Sequence, residues 1–302
     1  MERIFSPGKL LLTSEYFVLD GSKALALPTK LGQDFFYEVI DDKKSLIYWT
    51  TQYQGIEQFN LILDYTSWEI IGTNNITSAR FIVQTLQNLK KLGSDVFNVK
   101  NSYNIITNVQ FPADYGLGSS STLMTNLATW ANVNPFILNE QSLGGSGYDI
   151  AVAKEQCSLL FWREKNLPKY EKVDFSPNFR EDLIFIHLNK KQNSREGIEL
   201  YKSKKKSLYL VQAFTELTLS VVSTSSKDEF STLMKEHETL VSNFIEQPTV
   251  KDLYFKECPV FVKSLGAWGG DFVMSFKFEN YKKYFTEIGF NTLFTWNDMI
   301  SS

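Results

Sequence analysis

The chain has 302 residues, of which 43% are hydrophobic and 22% are charged, and its formal net charge is -3. This composition predicts a soluble globular protein with one large domain or two ordinary ones. The near-neutral charge argues against nucleic acid as a partner. No run approaches the roughly 18 apolar residues of a membrane span. The two cysteines, together with a start that does not resemble a leader, predict a cytoplasmic protein with reduced thiols.

The N-terminal part of the chain has the pattern of a sheet followed by a helix. Short β-rich runs bounded by turn residues predict a mostly antiparallel sheet. These runs cover residues 9–13, 16–19, 35–40, 46–51 and 59–63. Apolar residues then recur at helical spacing between residues 77 and 92, and Gly93 follows as a stop signal. This second segment is therefore predicted to be an amphipathic helix.

The middle of the chain alternates strand and helix signals. A predicted strand at residues 103–109 leads through a glycine-containing loop into another helical pattern. A short helix is expected over Pro135–Ser142, because Asn134 is a favourable N-cap and proline at the first helical position loses no hydrogen bond. We expect it to stop at Gly144, and we expect a further helix and strand after Asp149.

A polar, proline-containing stretch at residues 163–178 predicts a linker between two halves. We therefore place the domain boundary near residue 180, which gives an N-terminal domain of residues 1–180 and a C-terminal domain of residues 181–302. In the C-terminal half, strands are predicted at residues 183–188 and 272–278, and helices at residues 207–222 and 230–244. The predicted fold class is α+β, with two domains.

The segment most informative about function runs from Pro112 to Ser121 and reads Pro-Ala-Asp-Tyr-Gly-Leu-Gly-Ser-Ser-Ser. Paired glycines allow a tight turn close to an anion, and serines at a helix start add hydroxyl donors to the unpaired N–H groups there. The segment is neither a P-loop nor a dinucleotide fingerprint, because no Lys-Ser/Thr pair and no third glycine follow. From these residues alone, a phosphate site and an ordinary helix start both remain open.

Three further motifs accompany this loop. Residues 5–16 read Phe-Ser-Pro-Gly-Lys-Leu-Leu-Leu-Thr-Ser-Glu-Tyr, residues 144–151 read Gly-Gly-Ser-Gly-Tyr-Asp-Ile-Ala, and residues 263–271 read Lys-Ser-Leu-Gly-Ala-Trp-Gly-Gly-Asp. In order and spacing, the four motifs resemble the GHMP kinases, the superfamily of galacto-, homoserine, mevalonate and phosphomevalonate kinases. The Gly-Tyr-Asp-Ile-Ala form resembles a bacterial branch whose nearest characterised relatives are the mevalonate-pathway kinases.

The resemblance implies a GHMP kinase fold with an S5-like, ATP-binding N-terminal domain and a ferredoxin-like C-terminal domain, and it implies ATP and Mg²⁺ as cofactors. Triphosphate contacts are implied for Gly116, Leu117, Gly118, Ser119, Ser120 and Ser121. The implied catalytic residues are Asp149, which accepts the proton of the substrate hydroxyl, and Lys9, which lies near it. Substrate contacts are implied for Glu15, Tyr16, Ser146, Gly147, Gly266 and Ala267.

The resemblance also implies a metal site, and two motifs depart from the family pattern. The resemblance implies that Ser120 is a hydroxyl ligand of Mg²⁺ and makes Glu140 the best candidate for a second ligand; a solvated carboxylate at a helix end is the alternative for Glu140. Ser14 replaces the glycine that usually precedes the motif glutamate. Trp268 and Asp271 interrupt a glycine run, so that loop is expected to be bulkier and less free to adopt positive φ.

The resemblance implies an ATP-dependent phosphotransferase that phosphorylates the hydroxyl of a small metabolite, with mevalonate, in isoprenoid biosynthesis, as the expected substrate. Alternatives are a phosphomevalonate kinase, a sugar kinase and, from another class, a catalytically silent sensor of a nucleotide or metabolite. Retention of Lys9 and Asp149 favours catalysis, because a pure binder needs no proton acceptor. The expected partner is a small molecule, with neither nucleic acid nor membrane, and homodimer formation is left open.

Overall fold

The computed structural model describes residues 1–190, 194–266 and 268–301. Its contacts divide the chain into two compact units that alternate along the sequence. The first unit contains Met1–Gly8, Leu31–Ala113 and Leu117–Gln156, and the second contains Lys9–Lys30, Asp114–Gly116 and Cys157–Ser302. These units are defined by contacts alone, and the boundary near residue 180 stays a prediction about the two domains.

The first unit is built on a sheet in the strand order β5-β4-β3-β6-β2. The strands are β1 (Glu2–Leu11), β2 (Ala24–Ile40), β3 (Leu46–Tyr53), β4 (Ile56–Asp64), β5 (Glu69–Thr73) and β6 (Ser102–Val109). β1 pairs with β2, and both strands pass from one unit into the other. The pairs β3–β4, β4–β5 and β2–β6 are antiparallel and only β3–β6 among them is parallel, so the prediction of a mostly antiparallel sheet is confirmed.

Four helices complete the first unit: α1 (Ile76–Lys91), α2 (Ser119–Trp130), α3 (Pro135–Ser142) and α4 (Tyr148–Glu155). Local signals explain their starts: Asn75 caps α1 by accepting from the Ser78 amide, and Asn134 caps α3 with its side chain. Trp49 of the sheet, Leu86 of α1 and Leu127 of α2 belong to one buried cluster. The helices predicted at residues 77–92 and Pro135–Ser142 are therefore confirmed.

The second unit contains a hairpin where the sequence predicts a linker. β7 (Leu159–Glu164) pairs antiparallel with β8 (Leu167–Lys172), and β7 also pairs with the first residues of β2. The prediction of a linker at residues 163–178 is wrong for residues 163–172, which belong to this hairpin. β8 was missed because it is a mostly exposed edge strand, and its polar composition resembles that of a loop. The strand predicted at residues 16–19 is also wrong: Phe17–Asp20 is a 3-10 turn, preceded by Tyr16 at φ 65°.

The remainder of the second unit contains a four-stranded antiparallel sheet in the order β10-β11-β9-β12. Its strands are β9 (Leu183–His187), β10 (Val262–Leu265), β11 (Phe272–Phe276) and β12 (Leu293–Thr295), and its helices are α5 (Ser194–Ser203), α6 (Leu208–Ser223), α7 (Lys227–Ile245), α8 (Val250–Tyr254), α9 (Tyr281–Glu287) and α10 (Trp296–Met299). Helices follow the first and third strands, which is the predicted ferredoxin-like pattern. Throughout the described residues, every helix is too short or too polar to cross a membrane.

Candidate active site

The serine motif forms the start of α2 in the first unit. Gly118 precedes the helix with φ 89°, a left-handed conformation that glycine adopts without strain. Ser119 is half-buried and Ser120 is exposed, whereas the Ser121 hydroxyl donates to the Gly118 carbonyl at 2.8 Å. Within the described part of the chain, no side chain caps this helix. Its first-turn N–H groups and the Ser120 hydroxyl are therefore suited to binding an anion.

A buried polar network fixes α2 to its own unit. The Thr122 hydroxyl donates to Gln33 Oε1 at 2.7 Å, and Asn126 Nδ2 donates to the Gln33 carbonyl at 3.0 Å. Ser6 completes the network by donating to Asn126 Oδ1 at 2.8 Å. Because each of these buried groups has a partner, the network holds the first turns of α2 in one place.

Asp149 lies in the first turn of α4, which packs against α2 within the same unit. Gly147 precedes this helix at φ 90°, and Asp149 Oδ1 accepts a 3.0 Å hydrogen bond from the Ile150 amide. Ser146 is buried, and its hydroxyl accepts from the Tyr148 amide at 3.5 Å. The serine turn and the predicted base are therefore carried by neighbouring helices of one unit.

Glu140 is an exposed residue of α3. In the ranges that the structure describes, no three His, Cys, Asp or Glu side chains are grouped as metal ligands. Mg²⁺ in nucleotide sites takes most of its ligands from phosphates and water and only one or two from the protein. The exposed hydroxyl of Ser120 fits such a limited role, so a magnesium–nucleotide complex is compatible with these residues.

In the second unit, Gly116 lies close to both Asp271 and Lys9, and Gly266 lies near Asp271. Lys9 Nζ donates to the Gly116 carbonyl at 3.0 Å. A Cβ added to Gly116 would lie 1.8 Å from Asp271 Oδ2, and one added to Gly266 would lie 3.9 Å from the same oxygen. Sequence reasoning noted Asp271 only as an interruption of a glycine run and missed that its carboxylate packs on two predicted site residues.

Glu15 lies in a buried charge cluster of the second unit. Its Oε1 is 2.7 Å from Lys263 Nζ, which also lies 3.4 Å from Glu238 Oε1. The side chain of Lys263 is 0% exposed and that of Glu15 is 2% exposed. Burial is the largest influence and opposes ionisation, but Lys263 and His237 together hold the pKa of Glu15 below its usual value. Glu15 is therefore an ionised carboxylate with a fixed orientation.

His237 leaves one oxygen of Glu15 without a donor. The Ser14 amide donates to His237 Nε2 at 2.7 Å, so this nitrogen is an acceptor, and burial lowers the pKa of His237 so that the ring is neutral. Glu15 Oε2 lies 3.1 Å from the same nitrogen. Among the described residues, Glu15 Oε2 and His237 Nδ1 have no hydrogen-bond partner.

Tyr16 is also buried, and its hydroxyl oxygen accepts from the Trp268 amide at 2.8 Å. Its ring stacks on Tyr201 with centroids 5.7 Å apart, and burial raises the pKa of Tyr16. Gly197 packs on the same hydroxyl, since a Cβ there would be 2.2 Å away. Ala267, the neighbouring predicted substrate residue, lies outside the described residues.

The chain was compared with protein-family profiles, curated proteins and solved structures, and only solved structures match. No protein-family profile and no curated protein matches the sequence significantly. Solved structures do match: a mevalonate kinase from Methanococcus jannaschii has a TM-score of 0.70 at 16% identity, with 97% of this chain and 96% of that chain covered. A phosphomevalonate kinase from Streptococcus pneumoniae, in complex with phosphomevalonate and AMPPNP, has a TM-score of 0.71 at 15% identity and covers 98% of this chain and 100% of its own. The chain has the GHMP-kinase fold.

A galactokinase from Lactococcus lactis, solved with galactose, shares this GHMP-kinase fold with a TM-score of 0.65 at 13% identity, covering 95% of this chain and 88% of its own. At such low identities the likeness establishes the fold, and the substrate stays open. On the GHMP-kinase fold, the predicted residues fall into two groups. The first unit contains Leu117, Gly118, Ser119, Ser120, Ser121, Glu140, Ser146, Gly147 and Asp149, and the second contains Lys9, Glu15, Tyr16, Gly116 and Gly266.

Proposed function

We propose that the protein is an ATP- and Mg²⁺-dependent kinase that phosphorylates a hydroxyl group of a small metabolite, with mevalonate as the preferred acceptor. The observation that carries the proposal is the serine turn of α2 next to the helix that carries Asp149. Further support comes from the fold, since the similar structures are mevalonate, phosphomevalonate and galactose kinases, one of them bound to AMPPNP.

Nucleotide binding is assigned to the loop that leads into α2. Its backbone and hydroxyl donors match the charge of a triphosphate, because unpaired N–H groups at a helix start favour anions. The assigned residues are Gly116, Leu117, Gly118, Ser119, Ser120 and Ser121. When bound, Mg²⁺ would neutralise phosphate charge, and Ser120 and Glu140 are the residues assigned to hold it.

Asp149 is assigned to accept the proton of the acceptor hydroxyl, and Lys9 is assigned to balance negative charge near the transferred phosphate. Phosphoryl transfer passes through a loose transition state, so a catalyst mainly aligns the reactants and stabilises charge. A carboxylate is sufficient as the base, because the proton leaves after bond formation has begun. This assignment favours a hydroxyl acceptor over a phosphate acceptor.

Acceptor binding is assigned to Glu15, Tyr16, Ser146, Gly147, Gly266 and Ala267. Glu15 is the carboxylate of this set, and a carboxylate oxygen can accept a hydrogen bond from a hydroxyl group. A mevalonate kinase would act in the cytoplasm at an early step of isoprenoid biosynthesis. Phosphomevalonate kinase and sugar kinase activities are the alternatives within the same fold.

The test is a coupled ADP-release assay with mevalonate, phosphomevalonate, galactose and homoserine. We expect release with mevalonate, loss of turnover in Asp149→Asn, and weaker ATP binding in Ser120→Ala. Asp228→Asn is the matched control, because Asp228 is an exposed aspartate on α7, outside the proposed site. Turnover of another acceptor in place of mevalonate would reassign the substrate, and wild-type turnover in Asp149→Asn would remove the base.

The second candidate is a silent nucleotide or metabolite sensor. It is favoured by the altered third motif, in which Trp268 and Asp271 interrupt the glycine run. Tight ATP binding without ADP release from any of the four acceptors would support the sensor over the kinase.

A further inference from the structure

The loop that leads into α2 is divided between the two units. Asp114–Gly116 is grouped with the second unit, and Leu117–Gln156 is grouped with the first. The division falls inside the segment assigned to the triphosphate, between Gly116 and Leu117. Contacts made within the second unit therefore decide where this segment begins.

Tyr115, the residue before Gly116, places its ring among three rings of the four-stranded sheet. The centroid of the Tyr115 ring lies 4.7 Å from that of His187 on β9, 5.2 Å from that of Phe272 on β11 and 5.9 Å from that of Phe294 on β12. Both phenylalanines contact the tyrosine edge to face, which is a favourable geometry for aromatic pairs. We call the side chains of His187, Phe272 and Phe294 the aromatic seat.

The aromatic seat is a fixed part of the sheet. His187 and Phe272 are register partners in the antiparallel pair of β9 and β11, and they are 3% and 1% exposed. Phe294 lies on β12, which pairs with β9, and its ring contacts that of Phe272 edge to face at 6.0 Å. Since three hydrogen-bonded strands hold the seat, its rings keep their places when the loop moves.

The backbone on both sides of Tyr115 is held at the same place. His187 Nε2 lies 3.3 Å from the Asp114 carbonyl oxygen, and Lys9 Nζ donates to the Gly116 carbonyl at 3.0 Å. Gly116 has a φ of 63°, in the region that glycine enters freely, and glycine has the largest backbone freedom to lose on ordering. The seated ring and these two contacts remove that freedom at the first residue of the assigned triphosphate segment.

We propose that Tyr115 is a positioning residue for nucleotide binding: the aromatic seat holds its ring so that Gly116 and the residues after it keep the arrangement that receives the triphosphate. This inference rests on the proposed function for the identity of the ligand, whereas the effect of the seat on the loop does not. Tyr115 acts through the backbone of Gly116. The apparent dissociation constant of the nucleotide therefore rises in inverse proportion to the fraction of molecules that have this arrangement.

The first experiment measures the NMR order parameter of the Gly116 amide in the nucleotide-free wild type, Tyr115→Leu and Tyr115→Phe. The contacts with the seat are made by the ring, so phenylalanine keeps them and leucine loses them. We expect an order parameter of about 0.85 in the wild type and in Tyr115→Phe, and a value below about 0.6 in Tyr115→Leu. Equal order parameters in all three proteins would overturn the positioning role, and this readout requires no nucleotide.

The second experiment measures the dissociation constant of MgATP by calorimetry in the same three proteins. We expect it to rise about tenfold in Tyr115→Leu, as it does when about one-tenth of the molecules keep the binding arrangement, and to stay within about twofold of the wild type in Tyr115→Phe. The matched control is Tyr284→Leu, because Tyr284 is a half-buried tyrosine on α9 of the same unit, with ring contacts to Phe278 at 5.5 Å and Phe285 at 5.1 Å. An equal rise in this control would show general destabilisation and overturn the positioning role.

Phe294→Leu tests the seat without changing the loop. Phe294 is a half-buried residue of β12 and belongs to no assigned site, so its only expected route to the nucleotide is through Tyr115. We expect the dissociation constant of MgATP to rise about threefold, since one of three ring contacts is lost. A wild-type value would overturn the role of the seat, and this variant also provides the test if Tyr115→Leu does not fold. Failure of the folded wild type to bind MgATP would refute the proposed function, and the order parameters would then decide the positioning role.

Discussion

Ser14 combines an unfavourable backbone conformation with unusually dense hydrogen bonding. Its φ of 61° lies in the left-handed region, which costs a residue with a Cβ about 1–2 kcal/mol. Its buried hydroxyl compensates by donating to the Lys23 carbonyl at 2.7 Å and by contacting the Ser22 and Thr218 hydroxyls, each at 3.1 Å. The side chain therefore stabilises a conformation that glycine would adopt without cost.

Replacing Ser14 by alanine and by glycine separates these two contributions. Ser14→Ala keeps the strained φ and leaves buried polar groups unsatisfied, which costs about 1–3 kcal/mol. Ser14→Gly loses the same hydroxyl but relieves the strain, so it should recover about 1 kcal/mol of that loss. We expect the free energy of unfolding to be lowest for Ser14→Ala, with Ser14→Gly above it.

Equilibrium urea unfolding of the three proteins measures this order. The matched control is the same pair of substitutions at Ser225, an exposed loop residue outside the positive-φ set. There the alanine variant should be more stable than the glycine variant, because glycine increases the conformational entropy of the unfolded chain. If Ser14→Ala were as stable as Ser14→Gly or more so, the argument that backbone strain is offset by the hydroxyl would be refuted.

Three further predictions concern other parts of the molecule. Asp149→Asn should lower kcat by about 10²–10⁴ with the ATP dissociation constant nearly unchanged, which rapid-quench kinetics and calorimetry would measure; a parallel loss of ATP binding would contradict the base role. Gly116→Ala should lower the melting temperature, because the new Cβ would lie 1.8 Å from Asp271 Oδ2. Adding Asp271→Gly to this variant should restore part of the lost melting temperature, and no restoration would show that the contact is not the cause. Burial raises the pKa of Tyr103 from 10 to about 12, so the folded state binds this proton more tightly and the free energy of unfolding should fall as pH rises from 10 to 12. The urea midpoint should fall less steeply with pH in Tyr103→Phe than in the wild type. Equal slopes in the two proteins would count against this assignment.

Local signals predicted α1 and α3 well. Apolar spacing indicated α1, and the Asn134 side chain caps α3 as predicted, because it accepts from a helix N–H group two residues away. The resemblance of the four motifs anticipated the fold. The predictions of a linker at residues 163–178 and a strand at residues 16–19 were wrong because tertiary contacts decide the structure there. β8 is defined by its pairing with β7, and the turn after Tyr16 is defined by its packing on Tyr201.

The buried charge cluster was missed because its members are distant in sequence, Glu15 and Lys263 being 248 residues apart. A signal was nevertheless present. His237 and Glu238 lie on the same helical stripe as the buried Met234 and Val241, where charged or polar residues require partners. Polar residues on an otherwise apolar stripe would have marked this cluster before the structure did, although not the identity of the partner.

The pairing of Thr29 with Ile300, reinforced by the Ser301 amide donating to the Pro28 carbonyl at 3.0 Å, has a consequence for biosynthesis. The early part of β2 leaves the ribosome long before the residues that cover it. Closing so long a loop is entropically demanding and slows folding. The nascent chain must therefore hold an incomplete strand edge until Ile300 has been synthesised, and chaperone dependence during synthesis is the expected consequence of this connectivity.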